Sequence, residues 1–376
     1  MPNKEIWMQR AFDLALLGSG RVAPNPLVGC VIVKDNRILG EGYHQQYGGP
    51  HAEVNAIRSC SESVEGATAF VTLEPCSHFG KTPPCADLLI QSGITTVYIA
   101  NLDPNPLVAG KGVQKLEAAG ITCHIGLLAE TGEWINRHFF TFHRLKRPYI
   151  TFKYAVSADG FIAGAAGAPI QLSNELSAIR VHQMRAEHQG ILVGVQTIIH
   201  DDPSLTTRLV AGANPVRIVL DPSGRIPSTA KVLTDGGETI VLRSSAEVAA
   251  LALQSILVEG GAKTMEMLFA DGLVDEVWKI RSPKTLLEGI PEPKLGRIIP
   301  EEKLDLVFVP LLALNQNGHR VGYGKGFYDR LLSKCKKDCL FIGLNLFDEF
   351  IEISDLHQND IPLHICFTPK GKYDFR

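Results

Sequence analysis

Apolar positions along the chain switch between helical spacing and short continuous runs. Ile6, Ala11, Leu14 and Leu17 fall near helical spacing, and Gly18-Ser19-Gly20 ends that helix. Val28 to Val33 and Ile38 to Gly40 then predict a strand pair turned at Lys34-Asp35-Asn36. A helix is predicted from His51 to Arg58, a buried strand from Ala69 to Leu73, and a helix from Cys85 to Gln91. Thr96 to Ala100, Val113 to Ala119 and Ile121 to Ile125 repeat strand, helix and strand. That order predicts an α/β segment, a mixed or parallel sheet covered by helices.

The basic, proline-ended run Arg144-Leu145-Lys146-Arg147-Pro148 reads as a linker. Beyond it, Tyr149 to Val156 is a predicted strand, Ser177 to Glu187 a helix and Gly190 to Val195 a buried strand. Val216 to Leu220, Thr239 to Leu242 and Ile256 to Val258 are further apolar strands. Glu259-Gly260-Gly261 closes the last of these and opens a helix, Ala262 to Phe269, a turn where backbone can approach a phosphate. As a bare dipeptide, Gly-Gly is equally a tight turn.

The character changes again near Arg281-Ser282-Pro283. Gly289 to Pro293 cannot form regular structure, and Leu304 to Pro310 is a predicted strand. A glycine-rich stretch, Gly318 to Arg330, follows. Its exposed N–H groups with Arg320 and Lys325 suit an anion, although a flexible loop with solvated charges fits as well.

A chain of 376 residues has room for two or three domains. Its 37 basic and 40 acidic side chains nearly balance, which argues against nucleic acid as the main partner. No apolar run reaches membrane-spanning length and no leader peptide is evident, so a cytoplasmic address is expected. Eight scattered cysteines do not make a disulfide scaffold.

Chemistry concentrates in His51-Ala52-Glu53, Pro75-Cys76 and Cys85. One imidazole and two thiolates hold zinc with a fourth position open, and a carboxylate two residues from the ligand His can move protons there. H-x-E followed by P-C and a second Cys is the signature of zinc nucleobase deaminases. The spacer Ser77 to Pro84 is longer than the usual two residues. A closed zinc knuckle, with His78 as fourth ligand and Glu53 on the surface, is the competing structure.

With Pro24 to Gly29, Gly42-Tyr43-His44, Cys76 to Cys85 and Asp103 to Pro106 added, the segment resembles the bifunctional riboflavin-biosynthesis deaminase/reductase (RibD) family. The long cysteine spacer belongs to that family. The resemblance implies a cytidine-deaminase-like α/β/α domain acting on a phosphoribosyl pyrimidine. It makes His51, Cys76 and Cys85 the zinc ligands and Glu53 the proton shuttle. Asn25, His44, His78, Lys81, Asp103 and Asn105 align with the substrate pocket, Lys81 meeting the phosphate.

The second segment resembles that family's dihydrofolate-reductase-like, NADPH-dependent reductase. Lys153, Arg185, Leu205, Arg208 and Glu259 align with substrate positions, and Ala155, Gln171, Thr197, Asp201, Gly260 and Gly261 with NADPH positions. The family usually has Trp where Gln171 stands, the stretch from Arg243 to Ile256 is short, and closing strands are missing after Trp278. These departures predict an impaired reductase. The alternative is a chain active only as a deaminase, with the segments that follow acting as non-catalytic nucleotide-binding modules.

The remainder is similar to the C-terminal half of 5-formyltetrahydrofolate cyclo-ligase. That likeness makes Arg320, Gly322, Gly324, Lys325, Gly326, Tyr328 and Asp329 an ATP loop, Asp329 positioning Mg²⁺. The expected domains are therefore 1–145, 146–281 and 282–376, with a homodimer implied by the family. Two rivals are a base-editing deaminase, disfavoured by the charge balance, and a zinc- or nucleotide-binding protein without catalysis.

Overall fold

Continuous apolar runs become the central strands of two sheets in the computed structural model. The structure describes residues 4–78, 83–106, 108–163, 172, 174–282, 290–291, 301–311, 313–321, 327–345, 350–353, 360–368 and 370–375. Two units are formed, Met1–Leu295 and Gly296–Arg376.

The first unit opens with α1 (Lys4–Leu16), β1 (Gly29–Lys34) and β2 (Arg37–Tyr43). Asp35 and Asn36 turn the hairpin with φ of 50° and 59°, a left-handed pair that Asp and Asn tolerate better than most residues. Next come α2 (Ala52–Ser59), β3 (Thr68–Leu73), α3 (Cys85–Gln91), β4 (Thr96–Asn101), α4 (Lys111–Ala118) and β5 (Thr122–Ile125). The sheet runs β2-β1-β3-β4-β5, with β1 antiparallel to β2 and β3, and β3, β4 and β5 parallel.

Alternation along the strands feeds two cores. Cys30, Ile32, Ala69 and Val71 pack on one face with α2, α3 and α4, while Val31, Val33 and Phe70 pack on the other with α1. Both faces of β1 and β3 are buried, which is why their runs are apolar throughout. Gly40 and Gly42 let α2 lie against β2. A Cβ at Gly42 would sit 2.2 Å from the Ala56 nitrogen.

The expected linker is not one. Two helices that the apolar spacing did not disclose, α5 (Ala129–Ile135) and α6 (Arg137–Leu145), lead directly into β6 (Tyr149–Val156). Arg144 pairs with Glu133 at 2.7 Å, and Arg147 makes a two-point pair with Asp275 at 2.6 and 2.7 Å. The first pair ties α6 to α5 and the second ties the start of β6 to Asp275, so the run is held in place, and both sheets fall within the first unit.

The second sheet uses β6, β8 (Gly190–Gly194), β9 (Val216–Leu220), β10 (Thr239–Leu242), β11 (Ser255–Val258) and β12 (Glu276–Arg281). A short β7 (Phe161–Ala163) precedes α7 (Glu175–Glu187), and α8 (Val195–Asp201), α9 (Lys231–Thr234), α10 (Ser245–Ala249) and α11 (Ala262–Ala270) intervene. All six strands are parallel in the order β10-β9-β8-β11-β6-β12. The chain returns to insert β11 between β8 and β6, so ligands belong at the carboxyl ends of these three strands. Beyond β12, the described residues of the first unit add only β13 (Ile290–Pro291), paired with β7. Strand β12 alternates half-buried and exposed residues as an edge does, Val277 being 44% exposed.

The second unit contains β14 (Leu306–Pro310), β15 (Ala313–Leu314), β16 (Arg320–Val321), α12 (Phe327–Leu332), β17 (Leu340–Leu344), β18 (Ile365–Thr368) and β19 (Gly371–Asp374). Its sheet runs β14-β17-β18-β19 over a core that includes Val307, Val309, Phe341 and Cys366. Among the described residues, no helix is long and apolar enough to cross a membrane.

Candidate active site

His51 caps α2 in an extended conformation but makes no side-chain capping bond, which keeps its ring available. Its Nδ1 lies 3.6 Å from Cys76 Sγ and 3.3 Å from Cys85 Sγ. Cys85 opens α3, and its N–H donates to Cys76 Sγ at 3.3 Å. The three ligand atoms lie within 4.8 Å of one another. Tetrahedral zinc bound by two sulfurs and a nitrogen sets those atoms about 3.5–3.8 Å apart. The donor set fits zinc in chemistry and spacing. His78 is exposed at the pocket rim, and among the described residues it does not join the cluster, so no closed knuckle forms.

The thiols differ in their hold on a proton. A hydrogen bond from the Cys85 thiol, helped by His51 and the Cys85 N–H, holds Cys76 down to about 4 despite burial. The same bond, with burial, pushes Cys85 up. Cys76 is therefore the readier thiolate of the pair, and metal binding releases thiol protons. Glu53, only 3% exposed, is pushed up to about 7, mainly by burial and next by the Cys76 thiolate. A carboxyl poised there can both accept and give a proton at neutral pH.

A cavity of about 290 Å³ opens over these groups. Asn25, His44, His78, Asp103 and Asn105 all line it, with His51, Glu53 and Cys76. His44 must donate from Nδ1 to the Pro50 carbonyl at 3.0 Å, so its Nε2 accepts from Asn25 Nδ2 at 3.1 Å. This leaves Oδ1 as the acceptor Asn25 offers the pocket. Asp103 accepts from the Asn105 N–H at 2.8 Å, and burial pushes its carboxyl up to about 6. Lys81 lies outside the described residues.

Sequence reasoning missed Glu74 and Phe139 in the same lining. Glu74 is 4% exposed and accepts from the N–H groups of Asp103, Gly110, Gly112 and Val113 at 2.9–3.3 Å. It fastens the Asp103–Asn105 loop beside the zinc ligands. Its place in Leu73-Glu74-Pro75-Cys76 was the available signal; Phe139, on α6, offered none.

In the second sheet the expected residues fall on β6, α7, α8 and the turn between β11 and α11. Lys153 and Ala155 share one face of β6, Thr197 and Asp201 one face of α8, and Gly260-Gly261 start α11 after β11. Arg185 grips Glu259 at 2.7 and 3.0 Å and the Thr206 carbonyl at 2.9 Å. Burial would raise Glu259, but the Arg185 bonds and charge outweigh it and hold it low. Leu205 is buried nearby, and Arg208 is exposed, its N–H donating to His182 Nδ1 at 2.9 Å. Gln171 lies outside the described residues.

The glycine loop of the second unit differs. Gly322, Gly324, Lys325 and Gly326 lie outside the described residues. Arg320 is nearly buried and pairs with Asp329 at 2.8 Å, while its other nitrogen donates to the Ile361 carbonyl at 2.5 Å. The same Asp329 oxygen accepts from the Ile361 N–H at 3.1 Å. Both groups expected to serve ATP and Mg²⁺ satisfy each other. Tyr328 packs against the core beside them. The described geometry gives no support to ATP or Mg²⁺ at this loop.

A zinc-type deaminase lobe joined to a parallel α/β reductase lobe is the class these two sites define. Residues 1–101 match the cytidine and deoxycytidylate deaminase zinc-binding region, 148–288 the RibD C-terminal domain, and 263–369 the 5-formyltetrahydrofolate cyclo-ligase family. The riboflavin biosynthesis protein RibD of Aquifex aeolicus is 40% identical over 327 residues, covering 79% of this chain and 92% of that protein. The Bacillus amyloliquefaciens RibD is 50% identical but is matched over 63% of its length. The Acinetobacter baumannii RibD structure superposes with a TM-score of 0.73 at 35% identity, covering 79% of this chain and 92% of that one. A Thermotoga maritima structure, a diaminohydroxyphosphoribosylaminopyrimidine deaminase/5-amino-6-(5-phosphoribosylamino)uracil reductase, gives 0.71 at 38% identity, covering 80% and 94%. The chain belongs to the RibD family.

Proposed function

We propose that this chain deaminates 2,5-diamino-6-(5-phosphoribosylamino)pyrimidin-4-one by hydrolysis in riboflavin biosynthesis. The observation that carries this is Glu53, buried beside the His51, Cys76 and Cys85 donors and held near neutrality. Zinc held by those three donors would supply the Lewis acidity that makes water a nucleophile near neutral pH. Glu53 takes the proton of the attacking water and returns it to the departing amine, so ammonia leaves and the ring gains oxygen. Asn25 accepts from the substrate's ring donors, and Asp103 and Asn105 bound the pyrimidine. His78 and Lys81 belong to the ribosyl phosphate end.

The reading extends to the second lobe, where Lys153, Arg185, Leu205, Arg208 and Glu259 hold the deaminated product. Ala155, Gln171, Thr197, Asp201, Gly260 and Gly261 belong to NADPH. Reduction there is impaired in this reading, and the edge position of β12 supports a shortened sheet. The domains are read as 1–145, 146–281 and 282–376, the last without catalysis. A homodimer, implied by the resemblance, and a cytoplasmic address complete it.

The test gives zinc-loaded protein the diaminopyrimidinone ribosyl phosphate with and without NADPH, following ammonia and NADPH together. Ammonia release in both cases is expected, with little NADPH oxidised. No ammonia from zinc-loaded protein overturns the deaminase reading. Rapid NADPH oxidation overturns the impaired reductase.

A further inference from the structure

We infer that Gln254, in the reductase lobe, is a positioning residue for deamination because it tethers the loop that carries Asn25. The inference rests on the deaminase reading and adds to it a dependence on the second lobe.

The segment Pro24-Asn25-Pro26-Leu27 lies between α1 and β1, outside regular structure. Its two prolines have no N–H, so few backbone bonds can hold it. The Asn25 N–H donates to the Val22 carbonyl at 2.8 Å. Asn136 clamps Leu27, accepting from its N–H at 2.8 Å and donating to its carbonyl at 2.9 Å. On the other side of Asn25, Gln254 Nε2 donates to the Pro24 carbonyl at 2.7 Å. That bond joins positions 230 residues apart.

Gln254 is itself firmly placed. It is 7% exposed, the residue before β11, and its carbonyl accepts from the Tyr149 N–H at 2.9 Å. Its own N–H donates to Gln189 Oε1 at 2.5 Å. Nearby, Arg137 pairs with Glu276 at 3.2 Å across the same seam between the lobes. A cavity of about 550 Å³ lies in this seam, and Asn25, Pro26 and Phe139 line both it and the zinc pocket. The loop is therefore the shared wall. A rigid group on the reductase side sets its position, and Asn25 carries that position to His44 and the substrate.

Misplacing a substrate contact by about 1 Å can cost on the order of a hundredfold. Loss of one tether should cost less. In Gln254→Met, similar in size but without a donor, KM for deamination is expected to rise about tenfold, with kcat within about twofold. Zinc content should not change. In an Asn25→Ala background the same substitution should add nothing, because its effect passes through Asn25. Hydrogen exchange gives a readout independent of turnover, with faster exchange expected at Asn25 and Leu27 and none added in α2. A KM within twofold of the unsubstituted chain, additive effects with Asn25→Ala, or unchanged exchange in the loop would each overturn the tether. If the unsubstituted chain released no ammonia, the deaminase reading would fall, and the exchange measurement would still decide the tether.

Discussion

The zinc pocket and the Arg320–Asp329 loop each bring charged groups together, yet their charges meet different fates. In the pocket, Glu53 is buried and forms no ion pair with Lys or Arg among the described residues, and the donors of His51, Cys76 and Cys85 converge on one another. In the loop, Arg320 and Asp329 hold each other and the Ile361 backbone. A site keeps its polar groups under-satisfied so that a ligand can complete them; a structural staple completes them at once. The Arg185–Glu259 pair lies between these cases, since Arg185 is fully gripped yet sits at the strand ends where ligands bind.

Substitutions can break this contrast. The largest effect is expected from Cys85→Ala, which removes a zinc donor. Ammonia release should fall roughly 10⁴-fold as metal and acid–base chemistry are lost together, with zinc measured on the same sample. Retained activity would place the chemistry elsewhere. Glu259→Gln strands the Arg185 guanidinium in a site where both partners are largely buried. A loss of about 3 kcal/mol by chemical denaturation is expected, and a loss within error would make the pair dispensable.

A pH series sharpens the picture of the seam. Burial pushes His188 down to about 4, and its ring bonds Met184 and Thr151 while His138 lies 5.0 Å away. Above its unfolded pKa of about 6.5 neither state binds the proton, so the stabilisation is complete. As pH falls towards 4 the unfolded chain takes a proton that the folded chain refuses, and stability is lost. From pH 7 to 5 that loss is roughly 2 kcal/mol. The Asp103 shift has the opposite sign, so the comparison is between the unsubstituted chain and His188→Asn, whose slope should be shallower. Equal slopes would contradict the assignment. The smallest effect belongs to Asp329→Asn, about 1–2 kcal/mol from a weakened pair, with ammonia release unaltered and no nucleotide affinity lost.

Much of this was legible in the sequence because apolar runs and ligand spacing are local. The strands at Ala69 to Leu73 and Tyr149 to Val156 were readable from their apolar, aromatic and β-branched residues, and His51, Glu53, Cys76 and Cys85 from donor chemistry. The illegible parts depend on distant partners. Arg147 looks like a linker residue until Asp275, 128 positions away, is seen to hold it. Asn136, which caps α6, and Phe139, within it, serve a loop and a pocket far from them in sequence. Glu74 serves four backbone donors on another segment, which spacing alone cannot announce.

The central claim is that Glu53 moves protons beside a zinc site built from His51, Cys76 and Cys85. Its most direct test measures ammonia release and bound zinc together in the unsubstituted chain and in Glu53→Gln. Full zinc occupancy in both, with ammonia release reduced by about 10³-fold or more in Glu53→Gln, is the predicted result. Comparable ammonia release from the two, at equal zinc, would contradict it.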